Sequence, residues 1–387
     1  MMIFLLIPTM RIKMNLTSVE LRQTTDILTR RIYILIRSLI TCNFLMSWLR
    51  NLIFRPFGHK QIDIPENMNA KKRIKKGEDM KFNVKKLLVL LCCQFSLFST
   101  DVLANSSDLR DVKSISGIVL PSIIPSESSM VNLEIARKEY LKNPMDPDAM
   151  IWLGRRIAYT GDYHGAIEIF TQGIKKFPED ARFYRHRGHR YISMRQLDNA
   201  ILDLELASEL MLKTPNRIEP DGLPNEKNIP LTTTYGNIWY HLGLAHYLKQ
   251  NWREALKAFQ NGYDLGGNDD NLVSTGHWIF MILSLMGESE EAAKKLKEIH
   301  GDMNIIENMS YHQLCLLYKG EISIDQLLSA NGDNPSSAAV AYGVANYFYY
   351  NGNKKKSDEL LKNITKGSSW SAFGYIAAEI DLANSNR

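Results

Sequence analysis

The hydrophobic and polar positions from residue 132 to the C-terminus alternate with the period of an α-helix. Apolar residues recur every three or four positions and therefore share one helix face, as Ile167, Phe170 and Ile174 do. Short polar segments that contain glycine, such as residues 160–162 and 351–353, interrupt this pattern and predict turns. The sequence therefore predicts an all-α protein built from consecutive amphipathic helices.

The helical pattern also repeats at longer range. Three copies share one spacing of a glycine, an alanine and a large apolar residue: Gly154, Ala166 and Phe170; Gly188, Ala200 and Leu204; Gly243, Ala255 and Phe259. The first two copies lie 34 residues apart, and Pro178 stands between them. Self-similarity at a fixed period of this length is the signature of a repeat protein.

This spacing resembles the tetratricopeptide repeat, a 34-residue unit of two antiparallel helices, A and B. Small residues at its eighth and twentieth positions let the helices approach, and a large residue at the twenty-fourth fills the remaining space. The resemblance implies a right-handed α-solenoid of stacked helix pairs and a role in binding proteins or peptides. The residues that define the repeat here are Gly154, Ala166, Phe170, Pro178, Gly188, Ala200, Gly243, Ala255 and Phe259.

The repeats give the chain a domain organisation with about five to six helix pairs. In chain order, the expected segments are a linker at residues 105–131, a repeat domain at 132–387, clear repeats at 147–180, 181–212 and 236–268, an insertion at 213–235 and degenerate repeats at 269–387. The insertion contains four prolines, which forbid a regular helix, so it is expected to form a long loop.

Residues 80–104 have the three parts of a secretory signal. A cationic start precedes an apolar stretch at residues 87–98, and small residues precede a cut expected after Ala104. The apolar stretch is shorter than the roughly 20 residues that span a membrane. A buried helix of the fold is the alternative, and a lipid anchor at Cys92 is disfavoured because leucines precede it. We expect an exported protein, periplasmic or secreted, whose mature chain has no stable membrane span.

Residues 1–79 precede this expected signal. Codons for residues 76–79 can contain a ribosome-binding sequence just before the Met80 codon, so we interpret residues 1–79 as an upstream extension that is not native. Arginines interrupt its apolar segments, which argues against a membrane span. The alternative is a genuine arginine-rich segment that lies on a membrane surface.

Net charge separates these segments from the repeat domain. The whole chain carries a formal charge of +5, but residues 1–104 contain 17 Lys and Arg against 7 Asp and Glu, whereas the remainder contains 30 against 35. The repeat-containing part is therefore acidic, and a nucleic-acid partner is not expected. A composition with 45% hydrophobic residues excludes disorder along the whole length.

Basic and aromatic residues depart from the repeat pattern in the second copy. Arg187 stands at the seventh position, where the flanking copies have Leu153 and Leu242, and a guanidinium there must be paired or line a wet pocket. In the tetratricopeptide repeat family, which this chain resembles, the second, fifth, ninth and twelfth to thirteenth positions of each repeat line the concave surface of the solenoid. The predicted groove residues are Arg155, Tyr159, Arg182, Arg185, Arg187, His189, Tyr240 and Tyr247.

This predicted groove has two compatible interpretations. In the first, arginines bind an acidic peptide or an exposed carboxylate of a partner. In the second, the chain's own acids neutralise Arg185, Arg187 and Arg190, with Glu219 and Asp221 of the insertion as the nearest candidates. A docked insertion could also gate the groove.

No motif for catalysis or cofactor binding is readable. The histidines lack metal-ligand spacing, and Cys315 lies among leucines, so we expect no catalytic residue, metal or cofactor. The main hypothesis is an exported, non-catalytic scaffold or adaptor that binds a protein or peptide through the groove. A small-anion binder or hydrolase-like enzyme built around the Arg/His cluster is the second hypothesis.

Overall fold

A computed structural model describes residues 111–213, 215–329 and 335–384, and fourteen α-helices make up most of these residues. In chain order they are α1 (Glu127–Lys142), α2 (Pro147–Tyr159), α3 (Tyr163–Lys176), α4 (Ala181–Ser193), α5 (Leu197–Leu210), α6 (Thr234–Leu248), α7 (Trp252–Asp264), α8 (Asp269–Leu285), α9 (Ser289–Lys295), α10 (Met309–Tyr318), α11 (Ile324–Ser329), α12 (Pro335–Tyr350), α13 (Lys354–Ile364) and α14 (Phe373–Ala383). The predicted upstream extension and signal, residues 1–79 and 80–104, lie outside these described residues.

Successive helices pack as pairs. The three clear repeats are α2 with α3, α4 with α5, and α6 with α7; each pair also packs on the next. Within the described ranges, α8 to α13 give three further pairs, and α1 and α14 flank the series. The predicted all-α solenoid of stacked helix pairs is confirmed.

Aspartates begin the first helices of successive repeats. Asp146 and Asp180 each accept a hydrogen bond from a backbone N–H of the following turn, at 2.9 and 3.0 Å. These carboxylates satisfy donors that have no partner within the helix and lie at the positive end of the helix dipole. The 34-residue spacing of the two aspartates therefore sets the start of each A helix.

The repeat glycines lie where helices A and B meet. A Cβ on Gly154 would fall on the ring of Phe170, and a Cβ on Gly188 would lie 2.7 Å from Leu204 Cγ. Phe170 and Leu204 are almost completely buried. The same large residues that fill the core thus require a glycine on the facing helix.

The C-terminal helix returns to the first repeats. Glu379 of α14 accepts a hydrogen bond from Arg195, which follows α4, at 2.7 Å, and Arg195 also donates to the Trp370 carbonyl at 2.9 Å. The Trp370 ring packs edge-on against Tyr163 at the start of α3, with 5.8 Å between ring centroids. Helix α14 itself packs mainly on α12 and α13, and these contacts of Glu379 and Trp370 connect that C-terminal group of helices to repeats one and two.

Residues 111–131 differ from the expected linker. Lys113 and Val119 form an antiparallel bridge, the Ile115 N–H donates to Glu379, and the Pro121 carbonyl accepts from the Trp370 indole at 2.9 Å. Helix α1 begins at Glu127, where residue 132 was expected. Residues far along the chain, Glu379 and Trp370, hold this segment in place. Local sequence periodicity does not predict such long-range contacts.

Glu379→Gln is expected to lower the free energy of unfolding by about 2 kcal/mol, because hydrogen bonds to buried charged groups contribute roughly 1.5–3 kcal/mol. The amide retains only one acceptor oxygen for Arg195 and the Ile115 N–H. Urea unfolding provides the measurement. The matched substitution Glu139→Gln affects an exposed pair with Lys142 and should cost less than about 1 kcal/mol. Equal losses for the two variants would contradict the assigned role of Glu379.

Candidate functional site

The insertion lies against the A helices of the clear repeats. Its two arms pair through an antiparallel bridge between Ile218 and Thr233. The Glu219 N–H donates to the Thr232 carbonyl at 2.9 Å, and the Thr234 N–H donates to the Arg217 carbonyl at 2.8 Å. This pairing holds the non-helical residues of the insertion that follow Ile218 against α2 and α4.

A buried carboxylate anchors the insertion. Glu219 Oε2 forms an ion pair with Arg185 Nη2, at 2.9 Å, and accepts a hydrogen bond from Asn237 Nδ2, while Oε1 lies 3.2 Å from His186 Nε2. Glu219 is 8% exposed and Arg185 7% exposed. The carboxylate is therefore held between the A helices of the second and third repeats, away from water.

The protonation state of this cluster follows from its contacts. His186 Nδ1 must accept the hydrogen bond from Arg185 Nη1, at 2.7 Å, because a guanidinium only donates. Burial, followed by the charge of Arg185, lowers the pKa of His186 to about 3, so the neutral ring carries its proton on Nε2, facing Glu219. Burial alone would raise the pKa of Glu219, but Arg185 and His186 lower it below its ordinary value. An ionised Glu–Arg pair beside a neutral histidine results.

Two arginines of α2 bind the backbone of the insertion. Arg155 Nη1 donates to the Pro220 carbonyl at 2.9 Å, and Arg156 Nη1 donates to the Gly222 carbonyl at 2.8 Å. Both guanidinium groups lie over the Trp152 ring, 4.3 and 4.9 Å from its centroid. Contact with the ring restricts the positions of the two guanidinium groups, and their N–H groups stay directed at peptide carbonyls.

The insertion leaves part of this face open. A cavity of about 210 Å³ lies between it and α2 and α4, and its lining includes Trp152, Arg155, Arg182 and Arg217. Arg182 is held by Asp180, at 2.6 Å, and by Asp148. The cavity is therefore lined by both signs of charge, with Arg217 exposed at its edge.

Arg187 does not line the groove, contrary to the sequence prediction. Its Nε and Nη2 donate to the two oxygens of Asp203 on α5, each at 2.7 Å, and Nη1 donates to Thr171 Oγ1 at 3.0 Å. The seventh repeat position faces the B helices, where the flanking copies place leucine. A bidentate ion pair replaces apolar packing at this position.

Helix α14 covers the predicted groove residue His189. The His189 ring lies 4.3 Å from that of His241 and 5.4 Å from that of Phe373, measured between centroids. Burial, followed by neighbouring arginines and histidines, lowers the pKa of both histidines well below 6.5. Neither ring is therefore charged near neutral pH.

Tyr240 and Tyr247 are also covered by the chain itself. Tyr240 Oη accepts from the Trp278 indole at 3.0 Å and donates to Tyr311 Oη at 3.1 Å. Tyr247 Oη lies 2.8 Å from Tyr342 Oη. The third repeat thus offers its predicted aromatic residues to the degenerate repeats, and the accessible part of the face is formed by α2 and α4.

The arginines of the second repeat are neutralised only in part as predicted. Glu219 pairs with Arg185, but Arg187 pairs with Asp203 and not with the insertion. Arg190 lies 5.4 Å from the centroid of the Tyr163 ring, and no acid pairs with it in the part of the chain that the structure describes. Asp221 Oδ2 is buried without a hydrogen-bond partner there.

Three further residues belong to this site and were not predicted from the sequence pattern. Asn237 occupies the second position of the third repeat, so the positional rule for the concave surface could have included it. Asp203 and Phe373 carried no such signal, because their contacts depend on which distant helix faces them.

Residues 111–213, 215–329 and 335–384 contain no group of three or more His, Cys, Asp or Glu arranged to hold a metal ion. No helix in these ranges has both the length and the apolar character needed to cross a membrane. Burial raises the pKa of the Cys315 thiol, which faces the Val273 carbonyl at 3.7 Å.

Comparisons with known proteins agree with the helical repeat. No family model matches the chain. A curated relative is the Small glutamine-rich tetratricopeptide repeat-containing protein 2 of Saccharomyces cerevisiae, which is 26% identical over 116 residues. That match covers 30% of this chain and 28% of the yeast protein, so the chain spans under a third of its relative's length.

Solved structures of repeat proteins match the chain at low TM-scores. YrrB, described as a tetratricopeptide repeat protein with an unusual peptide-binding site, is 16% identical, with a TM-score of 0.35 over 65% of this chain and 95% of YrrB. MamA from Desulfovibrio magneticus RS-1 is 17% identical, with a TM-score of 0.35 over 44% of this chain and 84% of MamA. The 34-residue period and the helix pairs resemble the tetratricopeptide repeat, which is also the repeat named in the yeast relative.

Proposed function

We propose that the protein is an exported, non-catalytic scaffold that binds a non-helical acidic segment of a protein partner on the face formed by α2, α4 and α6. Its tetratricopeptide repeat fold supports the coarser role of a protein-interaction scaffold. The observation that carries the finer proposal is Glu219, an acid of an irregular segment, held by Arg185, His186 and Asn237.

The chemistry of this face suits a peptide. Arg155 and Arg156 donate to carbonyl groups, which every peptide offers, so they contribute affinity without reading side chains. Arg185 and Asn237 donate to a carboxylate, which selects an acidic residue. A partner segment therefore needs one carboxylate with free carbonyl groups beside it.

Partner capture tests this proposal. All chains in this test also carry Glu219→Gln, which removes the carboxylate of the insertion from the competition for these donors. In that background the double variant Arg155→Ala/Asn237→Ala removes a carbonyl donor and a carboxylate donor but keeps Arg185, so we expect about tenfold weaker capture, equivalent to about 1.4 kcal/mol. Immobilised full chain would be cross-linked to proteins of an envelope extract, which are then quantified by mass spectrometry. The matched control is Arg137→Ala/Asn199→Ala, on exposed surfaces of α1 and α5. Equal capture by the two double variants would reject this face as the binding site.

Export is supported by the signal-like residues 80–104. We expect the intact mass of the protein isolated from its native cells to correspond to a chain that begins at Asn105. Detection of peptides from residues 1–79 in that product would contradict the proposed translation start at Met80.

One observation favours the second hypothesis, a small-anion binder. Arg190 is buried and has no acid partner within the described residues, and a buried unpaired cation attracts an anion. Titration with inorganic phosphate, monitored by thermal unfolding, tests this. A saturable rise in Tm that Arg190→Met abolishes would favour the anion binder, whereas no rise would leave only the scaffold. A hydrolase would in addition need a base that titrates near neutrality, and His186, with a pKa of about 3, does not.

A further inference from the structure

We propose that the insertion is an internal ligand of the scaffold: partners bind by displacing it, and they carry an acidic residue followed three residues later by glycine. This inference rests on the proposed function and deepens it, because it names the partner segment and the event that regulates access.

The insertion occupies the donors that a partner needs. Glu219 uses Arg185 and Asn237, and the carbonyl groups of Pro220 and Gly222 use Arg155 and Arg156. A guanidinium buried with one carboxylate has no room for a second. Partner and insertion therefore exclude each other at this face.

The contacts of the insertion define what a partner must offer. The segment reads Glu219-Pro220-Asp221-Gly222, with its carboxylate in the Arg185 pocket. A Cβ on Gly222 would fall on the Tyr159 hydroxyl and lie 2.8 Å from Arg155 Nη2. The requirement for glycine comes from this close approach to α2, because Gly222 does not adopt the left-handed conformation.

The insertion leaves polar atoms unpaired where it docks, so a partner can compete with it. Within the described residues, four buried atoms of this cluster have no hydrogen-bond partner: Asp221 Oδ2, Arg185 Nε, His186 Nε2 and Glu219 Oε1. Leaving buried polar atoms unpaired weakens docking of the insertion. A partner segment with a neutral residue in place of Asp221 avoids one of these defects, and the cavity edged by Arg217 gives it a point of entry.

Competition also predicts how affinity responds when the insertion is loosened. The apparent dissociation constant of a partner equals its intrinsic value divided by the fraction of molecules with an open face. Any substitution that undocks the insertion without touching α2, α4 or α6 must therefore tighten partner binding.

A synthetic peptide of residues 216–223, fluorescently labelled, tests this by anisotropy with the full chain. We expect Glu219→Gln in the chain to bind the peptide at least tenfold more tightly than the unchanged chain, because the amide keeps its shape but loses the charge that pairs with Arg185. Glu226→Gln, an exposed acid of the same insertion, is the matched control and should leave affinity unchanged. Peptides carrying Glu219→Gln or Gly222→Ala should bind the opened chain at least tenfold more weakly.

A second variant and a second measurement guard against a folding artefact. Gly222→Ala in the chain loosens the insertion from its other end and should also tighten peptide binding, while circular dichroism reports that the helices persist. In the unchanged chain, a saturating excess of the peptide should increase hydrogen exchange in residues 217–222.

The outcomes separate the two proposals. If neither Glu219→Gln nor Gly222→Ala tightens peptide binding while Arg155→Ala/Asn237→Ala still loses its partner, displacement is overturned and the scaffold stands. If the peptide substitutions Glu219→Gln and Gly222→Ala do not weaken binding to the opened chain, the proposed requirement for an acidic residue and a glycine is overturned. If Arg155→Ala/Asn237→Ala in the Glu219→Gln chain captures the partner as well as Glu219→Gln alone, the scaffold site itself fails and the inference fails with it.

Discussion

Lowering the pH from 7 to 5 is expected to reduce the free energy of unfolding by about 4 kcal/mol or more. His186 and His277 are buried, and burial is the leading cause that lowers the pKa of each from 6.5 to about 3. Both are neutral in the folded protein at pH 5 but protonated in the unfolded chain. Each contributes about 2 kcal/mol over the 1.5 pH units between 6.5 and 5, at about 1.4 kcal/mol per unit.

The sign follows from proton binding. The unfolded chain binds more protons, so the stability from these histidines is fully present above pH 6.5 and is lost as the pH falls from 6.5 towards 3. His189 and His241, whose pKa values are also lowered, act in the same direction. Burial raises the pKa of Asp203 and of Glu307, and this offsets part of the loss where those carboxyl groups titrate.

Urea unfolding at pH 7 and pH 5 measures the effect, and His277→Phe isolates one contributor. The His277 ring packs among the rings of Trp278, Tyr311 and Tyr318, so phenylalanine fits the aromatic site but cannot bind a proton. The loss between the two pH values should shrink by about 2 kcal/mol. His300→Phe changes an exposed side chain and should leave the loss intact. An unaltered pH dependence for His277→Phe would refute the assignment.

Arg187→Leu should lower the free energy of unfolding by about 3 kcal/mol, although leucine is the residue that flanking repeats carry at this position. The substitution leaves the Asp203 carboxylate, 7% exposed, without its bidentate partner. Breaking one side of a buried ion pair typically costs roughly 3–5 kcal/mol, and the lower end applies because Arg187 is partly exposed.

The double variant Arg187→Leu/Asp203→Leu tests the cause. An apolar pair can replace a buried ion pair with little net cost, so the double variant should recover to within about 1 kcal/mol of the unchanged chain. Urea unfolding of the single and double variants gives the coupling energy directly. A double variant as unstable as Arg187→Leu would show that the loss came from Thr171 or from packing and not from an orphaned carboxylate.

Local sequence rules predicted the repeats because their determinants are local. Gly154 and Phe170 meet within one helix pair, and Asp146 and Asp180 cap helices that begin beside them. Spacing along the chain is enough to recognise such contacts. The insertion was also predictable, because proline density alone excludes a helix.

Contacts between distant segments could not be predicted in this way. Helical periodicity shows which face of a helix is apolar but not what covers it, so Tyr240 and Tyr247 were assigned to an open groove that other helices fill. The sequence named Glu219 as a candidate partner of the arginines, but the pairing of Arg187 with Asp203 depends on the orientation of one side chain. Helix α14 did carry a hint, because a helix that is apolar on most faces is usually buried.

The return of α14 to the first repeats changes the order in which the protein can mature. In a linear repeat array each unit contacts only its neighbours and can finish folding soon after it is synthesised. Here Tyr163 and Arg195 also contact Trp370 and Glu379, which are synthesised long after them. The first two repeats therefore lack these contacts until Glu379 has been synthesised, and forming the contacts joins distant repeats into one cooperative unit.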